Sequence, residues 1–295
     1  MDHPSTGSPS ALDGDPYRPS DLQLGRVAYR RRQTVRSVIV AAVSTLVLGL
    51  ILAVAITGSP GWPRVQDSFL DPQVAAKSFV PVLRGLWLNI RLLFFCAIGA
   101  LALGLTVAIG RTLRPALFFP LRALAALYTY VFRGAPLIVV LYLFAFGIPG
   151  LRLTGTPSVL VLGGCALVIT YGAYLAEVFR AGIESVHPSQ RAAARSLGLT
   201  YGQTMRHVVL PQALRRVAPP ILNDLVALQK DVGLISLAGP IDAIRAAQIQ
   251  TAGSFNFTPY VVAGALFVLL AAPLIAVTDW LTLRAARRQS SVGTA

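Results

Sequence analysis

Residues 180–216 read RAGIESVHPSQRAAARSLGLTYGQTMRHVVLPQALRR. The segment carries six arginines, Arg180, Arg191, Arg195, Arg206, Arg215 and Arg216, and lies between apolar runs at about 157–179 and 218–238. A basic segment between two runs long enough to cross a bilayer reads as a loop on the cytoplasmic side. Pro188 and Ser189 mark a helix entry, with Ser189 as the cap of a helix over 190–197. Gly198 suits the left-handed closing position. A second helical stretch over 201–209 is expected to end before Pro211. The spacing thus predicts two short helices around a glycine turn. Taken on charge alone, the same loop reads as a solvated connector that only sets topology.

Working outward, further apolar runs lie at 37–58, about 88–110, 134–150 and 260–282. With the two flanking the loop, they make six candidate spans, each near the ~20 helical residues that cross a ~30 Å hydrocarbon core. The composition agrees: hydrophobic residues are 55%, charged residues 13%, and mean hydropathy is +0.64. An ordinary soluble enzyme carries about 25% charged residues. A disordered polymer would lack the hydrophobicity. The net charge of +14 does not mark a nucleic-acid protein, because the arginines sit between apolar runs and not along a stripe of a polar domain. The run at 37–58 has a signal peptide as its rival reading, with Ala53-Val54-Ala55 resembling a cleavage site. It exceeds the ~7–15 residues of a signal core and follows a long polar region, which favours a retained helix.

Orientation follows from the basic residues. With the N-terminus inside, nineteen of the 26 Lys and Arg fall in cytoplasmic segments and five in outer ones. That asymmetry predicts an all-α, six-span polytopic protein with both termini inside. The expected organisation is a disordered basic tail over 1–36, a first span at 37–58 and an outer segment at 59–85. A core follows over 86–288 with its cytoplasmic loop at 181–216, and a tail over 289–295. The segment 114–132, with Arg114 and Arg122, is either an interfacial amphipathic helix or an extension of the third span.

Several chemistries lack their residues. Cys96 and Cys165 lie inside apolar runs and read as small buried hydrophobes. His3, His187 and His207 lie outside the spans, and no HExxH or CxxC occurs, so no metal site is expected. Neither Lys77 nor Lys230 follows a glycine, so the chain has no phosphate loop and binds no nucleotide or other cofactor in that way. Without a GxSxG nucleophile or a paired acidic motif, no catalytic residue is expected. No internal repeat is evident, which weakens a secondary carrier.

The loop has a specific likeness. Ala192-Ala193-Ala194, then Gly198, then Leu210-Pro211 resembles the EAA loop of ABC importer permeases, with alanine at the motif's glutamate position and the spacing intact. Arg133-Gly134-Ala135-Pro136-Leu137, the stretch 173–183 and Leu228-Gln229-Lys230-Asp231 resemble the polar amino acid branch, of the histidine, arginine and glutamine type. The likeness covers about 85–288. It implies the type I ABC importer permease fold in a bacterial cytoplasmic membrane. The implied partners are a second permease (identical or related), a cytosolic ATPase dimer that holds ATP and Mg, and an extracytoplasmic solute-binding protein. Arg191, Ala192, Ala193, Ala194, Arg195 and Gly198, with Leu210 and Pro211, are the expected ATPase-coupling residues. The small residues would permit close approach and the two arginines would meet acidic groove residues. A channel or ion-coupled carrier is the alternative function; it would need no such loop.

The fifth span carries Asn223, Asp224, Lys230 and Asp231. Ionisable residues at such depth cost about 2.5–3.5 kcal/mol each and usually face a cavity or a partner. Asn223 and Lys230 share one helical face, Asp224 and Asp231 another. An amino acid zwitterion needs both a cation and a carboxylate, so Lys230, Asp231 and Asn223 are candidate substrate-path residues; an internal Lys–Asp pair is the plainer alternative. The family's Thr-Ser after this motif is Val232-Gly233 here. Arg91, near the outer end of the second span, either snorkels to headgroups or meets a substrate carboxylate. Glu177, Arg180 and Glu184 read as ordinary helix pairs. Arg133 and Pro136 read as helix punctuation with a possible gate role. The outer segment 239–259, with Asp242 and Arg245, is expected to face a binding protein.

Overall fold

The computed structural model describes residues 21–113 and 116–292, with the side chains of 21, 23–28, 30–32 and 285–292 outside that description. The chain divides between Arg64 and Val65 into two units. In the first unit, helix α1 spans Asp21–Thr57. Helix thus starts well before the 37–58 run, which overturns the disordered reading for 21–36; residues 1–20 lie outside the described residues. Inside the apolar stretch the hydroxyls of Thr45 and Thr57 donate to the carbonyls four residues back, at 2.8 and 2.7 Å. In lipid, a hydroxyl must find its acceptor within the chain.

The second unit starts with the short α2 (Trp62–Phe69), which straddles the division, and continues with α3 (Pro72–Thr112). Asp71 caps α3 by accepting from Gln73 and Val74 N–H. Then come α4 (Phe119–Gly134), α5 (Leu137–Gly150), α6 (Val159–Glu184) and α7 (Pro188–Ser196). The chain ends with α8 (Tyr201–Ala238), α9 (Ala243–Ser254) and α10 (Thr258–Val292). Four helices are each long and apolar enough to cross a membrane, and six spans result if α4–α5 and α8–α9 each count as one. No strand occurs among the described residues.

The core is the α3–α6 pair. Cys96 lies against Gly164, Gly104 against Gly172 and Leu175, and Arg111 against Glu177. Numbering rises on both helices, so they run parallel. The segment between them must therefore return from one end of the pair to the other. It does so through α4 and α5, which meet at a 105° bend at Ala135-Pro136. Close approach needs glycine: a Cβ on Gly104 would fall 2.8 Å from Leu175 Cβ and 3.0 Å from Ala176 N. Small residues bring helices together where lipid supplies no hydrophobic drive. α8 runs antiparallel to α6, with Val217 near Gly182 and Ile235 near Gly163.

Two readings of the loop change here. His187, not Ser189, caps α7, accepting from Ser189 N–H while Pro188 takes the first turn. Helix also does not stop before Pro211. Met205–Val209 is a single wide π turn in which Leu210 N–H reaches back to Met205 carbonyl. Widening the turn makes room for the ring of Pro211, which cannot donate. The end of the loop is thereby continuous with the span that follows.

Candidate permease site

The 185–209 hairpin is fastened on both sides. Arg191 donates into the chain to Ile183 carbonyl, and Arg216 to Ser185 carbonyl and hydroxyl. Gln212 Nε2 donates to Gln190 Oε1 at 2.6 Å. Arg191 thus ties α7 to α6, Gln212 ties α8 to α7, and Arg216 ties α8 to the end of α6. Ala194 is buried (4% exposed) and its carbonyl accepts from Leu199 N–H. Gly198 sits at φ +80°, the left-handed turn expected of it. The coupling set is therefore split. Arg191 turns toward Ile183 carbonyl and Ala194 is buried, so both help build the hairpin. Ala192, Ala193 and Arg195 face out, together with Leu197, which is 83% exposed and was not among the expected residues. Leu210 and Pro211 follow the π turn inside α8.

Beside the hairpin end, Glu177 is more than a helix pair. Arg111 of α3 donates to its Oε2 at 2.8 Å and to Thr129 Oγ1 of α4 at 3.2 Å. Arg180 donates from Nε to the same Oε2 at 3.1 Å and from Nη2 to Oε1. Arg133 Nη1 stands 4.0 Å from Glu177 Oε2, and its guanidinium lies 5.9 Å from the Tyr174 ring. Three helices thus meet on one carboxylate, next to the α4–α5 bend. Arg133 closes α4 and Pro136 opens α5, so the pair punctuates an end and a start.

The substrate-path candidates are not gathered in one place. Asp231 Oδ2 accepts from Tyr171 OH of α6 at 2.7 Å. Asp224, one repeat down the same face, has a buried Oδ2 without a hydrogen bond. Asn223 and Lys230 are exposed on another face of α8, and Lys230 opens onto a groove between α8 and α10 that reaches Asp279. The internal Lys–Asp pair does not form: the ion pairs among the described residues all involve Glu177 or Glu184. Arg91 lines a groove between α3 and α6, away from all three.

At the far end from the hairpin, Asn89 is wholly buried. Its Nδ2 donates to Val232 carbonyl at 3.2 Å and Asp242 Oδ2 at 3.0 Å, and its Oδ1 accepts from Ala243 N–H. Asp242 is buried too, capping α9 through Arg245 N–H at 2.8 Å, so it does not face outward as expected. Cys165 is exposed, not buried. Only Asn89's polarity within an apolar run signalled this network in the sequence.

Parallel α3 and α6, a bent return between them and a basic hairpin bonded to both flanking helices are the features on which the comparisons bear. The crystal structure of an amino acid ABC transporter with histidines is similar, at TM-score 0.66 and 29% identity, covering 72% of this chain and 98% of that one. The MetNI methionine ABC transporter in an inward-facing conformation shares the fold at TM-score 0.54 and 20% identity, covering 68% and 94%. Among curated proteins, the probable glutamine ABC transporter permease protein GlnM of Bacillus subtilis is 35% identical over 63% of this chain and 84% of its own length. The arginine transport system permease protein ArtQ of the same organism is 32% identical over 64% and 85%. Residues 100–291 match the family model described as binding-protein-dependent transport system inner membrane component. The chain belongs to that family.

Proposed function

We propose that this chain is the membrane subunit of an ATP-driven importer that carries a polar amino acid across a bacterial cytoplasmic membrane by alternating access. In this reading it has six spans with both termini inside. It pairs with a second permease, takes substrate from an extracytoplasmic binding protein, and leaves hydrolysis of ATP with Mg to a cytosolic ATPase dimer. The amino acid class rests on the relatives' names and on the 29% identical amino acid transporter. The mechanical part rests on one observation: the hairpin presents Arg195 and Leu197 outward while bonds to Ile183, Ser185 and Gln190 tie it to α6 and α8. A push on its tip therefore moves two spans together.

In the same reading, Asp231, whose carboxylate accepts from Tyr171 OH, is the candidate for the ammonium end of the substrate. The test is paired. Leu197→Asp with Arg195→Glu is expected to abolish co-purification of the ATPase and ATP-dependent uptake, with the permease's melting temperature unchanged. Normal uptake by that variant removes the docking role. Binding of glutamine, arginine and histidine to the cognate external protein identifies the substrate, and binding of none of them removes the amino acid assignment.

A further inference from the structure

The groove between α3 and α6 opens above the Cys96–Gly164 contact of the helix pair. It has a volume of about 390 Å3, and of its ten lining residues only Arg91 is charged. Phe95, Val161 and Cys165 on its walls are exposed, while Cys96 and Gly164 form its floor. Arg91 is exposed and has no acceptor among the described residues. It stands twenty residues before Arg111 on the same helix. At 1.5 Å per residue the two guanidinium-bearing positions are about 30 Å apart, the thickness of the hydrocarbon core. Arg111 stands one residue from the end of α3. Arg91 thus lies one hydrocarbon thickness, ~30 Å, from that helix end, with a carbon-and-sulfur groove beside it.

A guanidinium offers five donors in a fork that matches phosphate oxygens, and such charge-assisted pairs are strong where water is scarce. No carboxylate lines the groove to compete. We infer that the groove binds one anionic glycerophospholipid, its phosphodiester on Arg91 and an acyl chain along Phe95, Val161 and Cys165. The site depends on the chain crossing a bilayer and not on what it transports.

The test uses the full-length chain in nanodiscs of mixed phosphatidylglycerol and phosphatidylcholine. Retained lipid is read by native mass spectrometry, and alkylation of Cys165 by N-ethylmaleimide is read alongside. The wild type is expected to keep one phosphatidylglycerol. Arg91→Gln should lower its occupancy at least fivefold and speed Cys165 alkylation, while Arg91→Lys keeps most of it. Val161→Trp, at an exposed position, should expel the lipid with Arg91 in place. Equal retention by Arg91→Gln, equal retention of both lipids, or Cys165 equally slow in every variant because another helix covers the groove, would each overturn the inference.

Discussion

Arg111, one residue from the end of α3, donates to Glu177 of α6 at 2.8 Å. Because α3 and α6 run parallel, this bond fixes their register at the hairpin end, where Gly104 fixes it by contact. Thr129 brings α4 into the same contact. The helix pair and the bent return are thus tied together about two turns before α6 hands over to the hairpin.

Removal of either partner should show this coupling. Glu177 is about a quarter exposed, so solvent screens the pair and the energy is modest. A double-mutant cycle of Arg111→Ala and Glu177→Ala is expected to give about 0.5–3 kcal/mol of interaction, as contacting residues in one network do. Thermal unfolding in detergent measures it. Strict additivity would mean that the contact carries no energy.

The Asn89–Asp242 network at the far end from the hairpin should be more sensitive, because it is buried. Asn89→Leu leaves Asp242 Oδ2 and Ala243 N–H without their partner while keeping most of the volume. Each buried unsatisfied group costs about 1–3 kcal/mol. Asn89→Asp should be worse, since it places a second carboxylate against Asp242. The check is the order of melting temperatures: wild type, then Asn89→Leu, then Asn89→Asp.

Within the hairpin, neighbouring alanines should behave oppositely. Ala194→Leu forces a larger side chain into a filled space, which costs about 1–3 kcal/mol. Ala192 is exposed, and Ala192→Glu, which restores the family's residue, should change stability by less than about 0.5 kcal/mol. Equal effects at the two positions would contradict the inward and outward assignment of α7.

Four of the apolar runs, 37–58, 88–110, 157–179 and 260–282, were legible as helices long enough to cross a membrane because their signal is local and strong, whereas those at 134–150 and 218–238 belong to bent helix pairs. Gly198 was legible too, since a left-handed turn asks for glycine. What the sequence hid depends on register between distant helices. Arg111 and Glu177 are 66 positions apart, and Asn89 and Asp242 are 153 apart. Nothing in either neighbourhood names its partner. The continuation through Pro211 was misread because proline's usual effect is to stop a helix, and a π turn is an uncommon way around it. Lys230 and Asp231 are adjacent in the chain, yet helical geometry sends them about 100° apart, so proximity in sequence suggested a pair the fold does not make.

That separation sets the last prediction. Asp231 has one polar partner, Tyr171 OH, at 2.7 Å. Asp231→Asn keeps a carbonyl acceptor for that hydroxyl, so folding should change by no more than about 1 kcal/mol, the net worth of one hydrogen bond. If the carboxylate receives the substrate's ammonium, uptake by Asp231→Asn should fall at least tenfold, because loss of a charge-assisted bond in a dry site costs about 1.5–3 kcal/mol. Tyr171→Phe frees the carboxylate without removing it and should affect uptake far less. Lys230→Gln, on the other face, should leave uptake near normal. Initial rates in proteoliposomes with the cognate binding protein decide the matter. A loss at Lys230 equal to that at Asp231 would move the path to the α8–α10 groove.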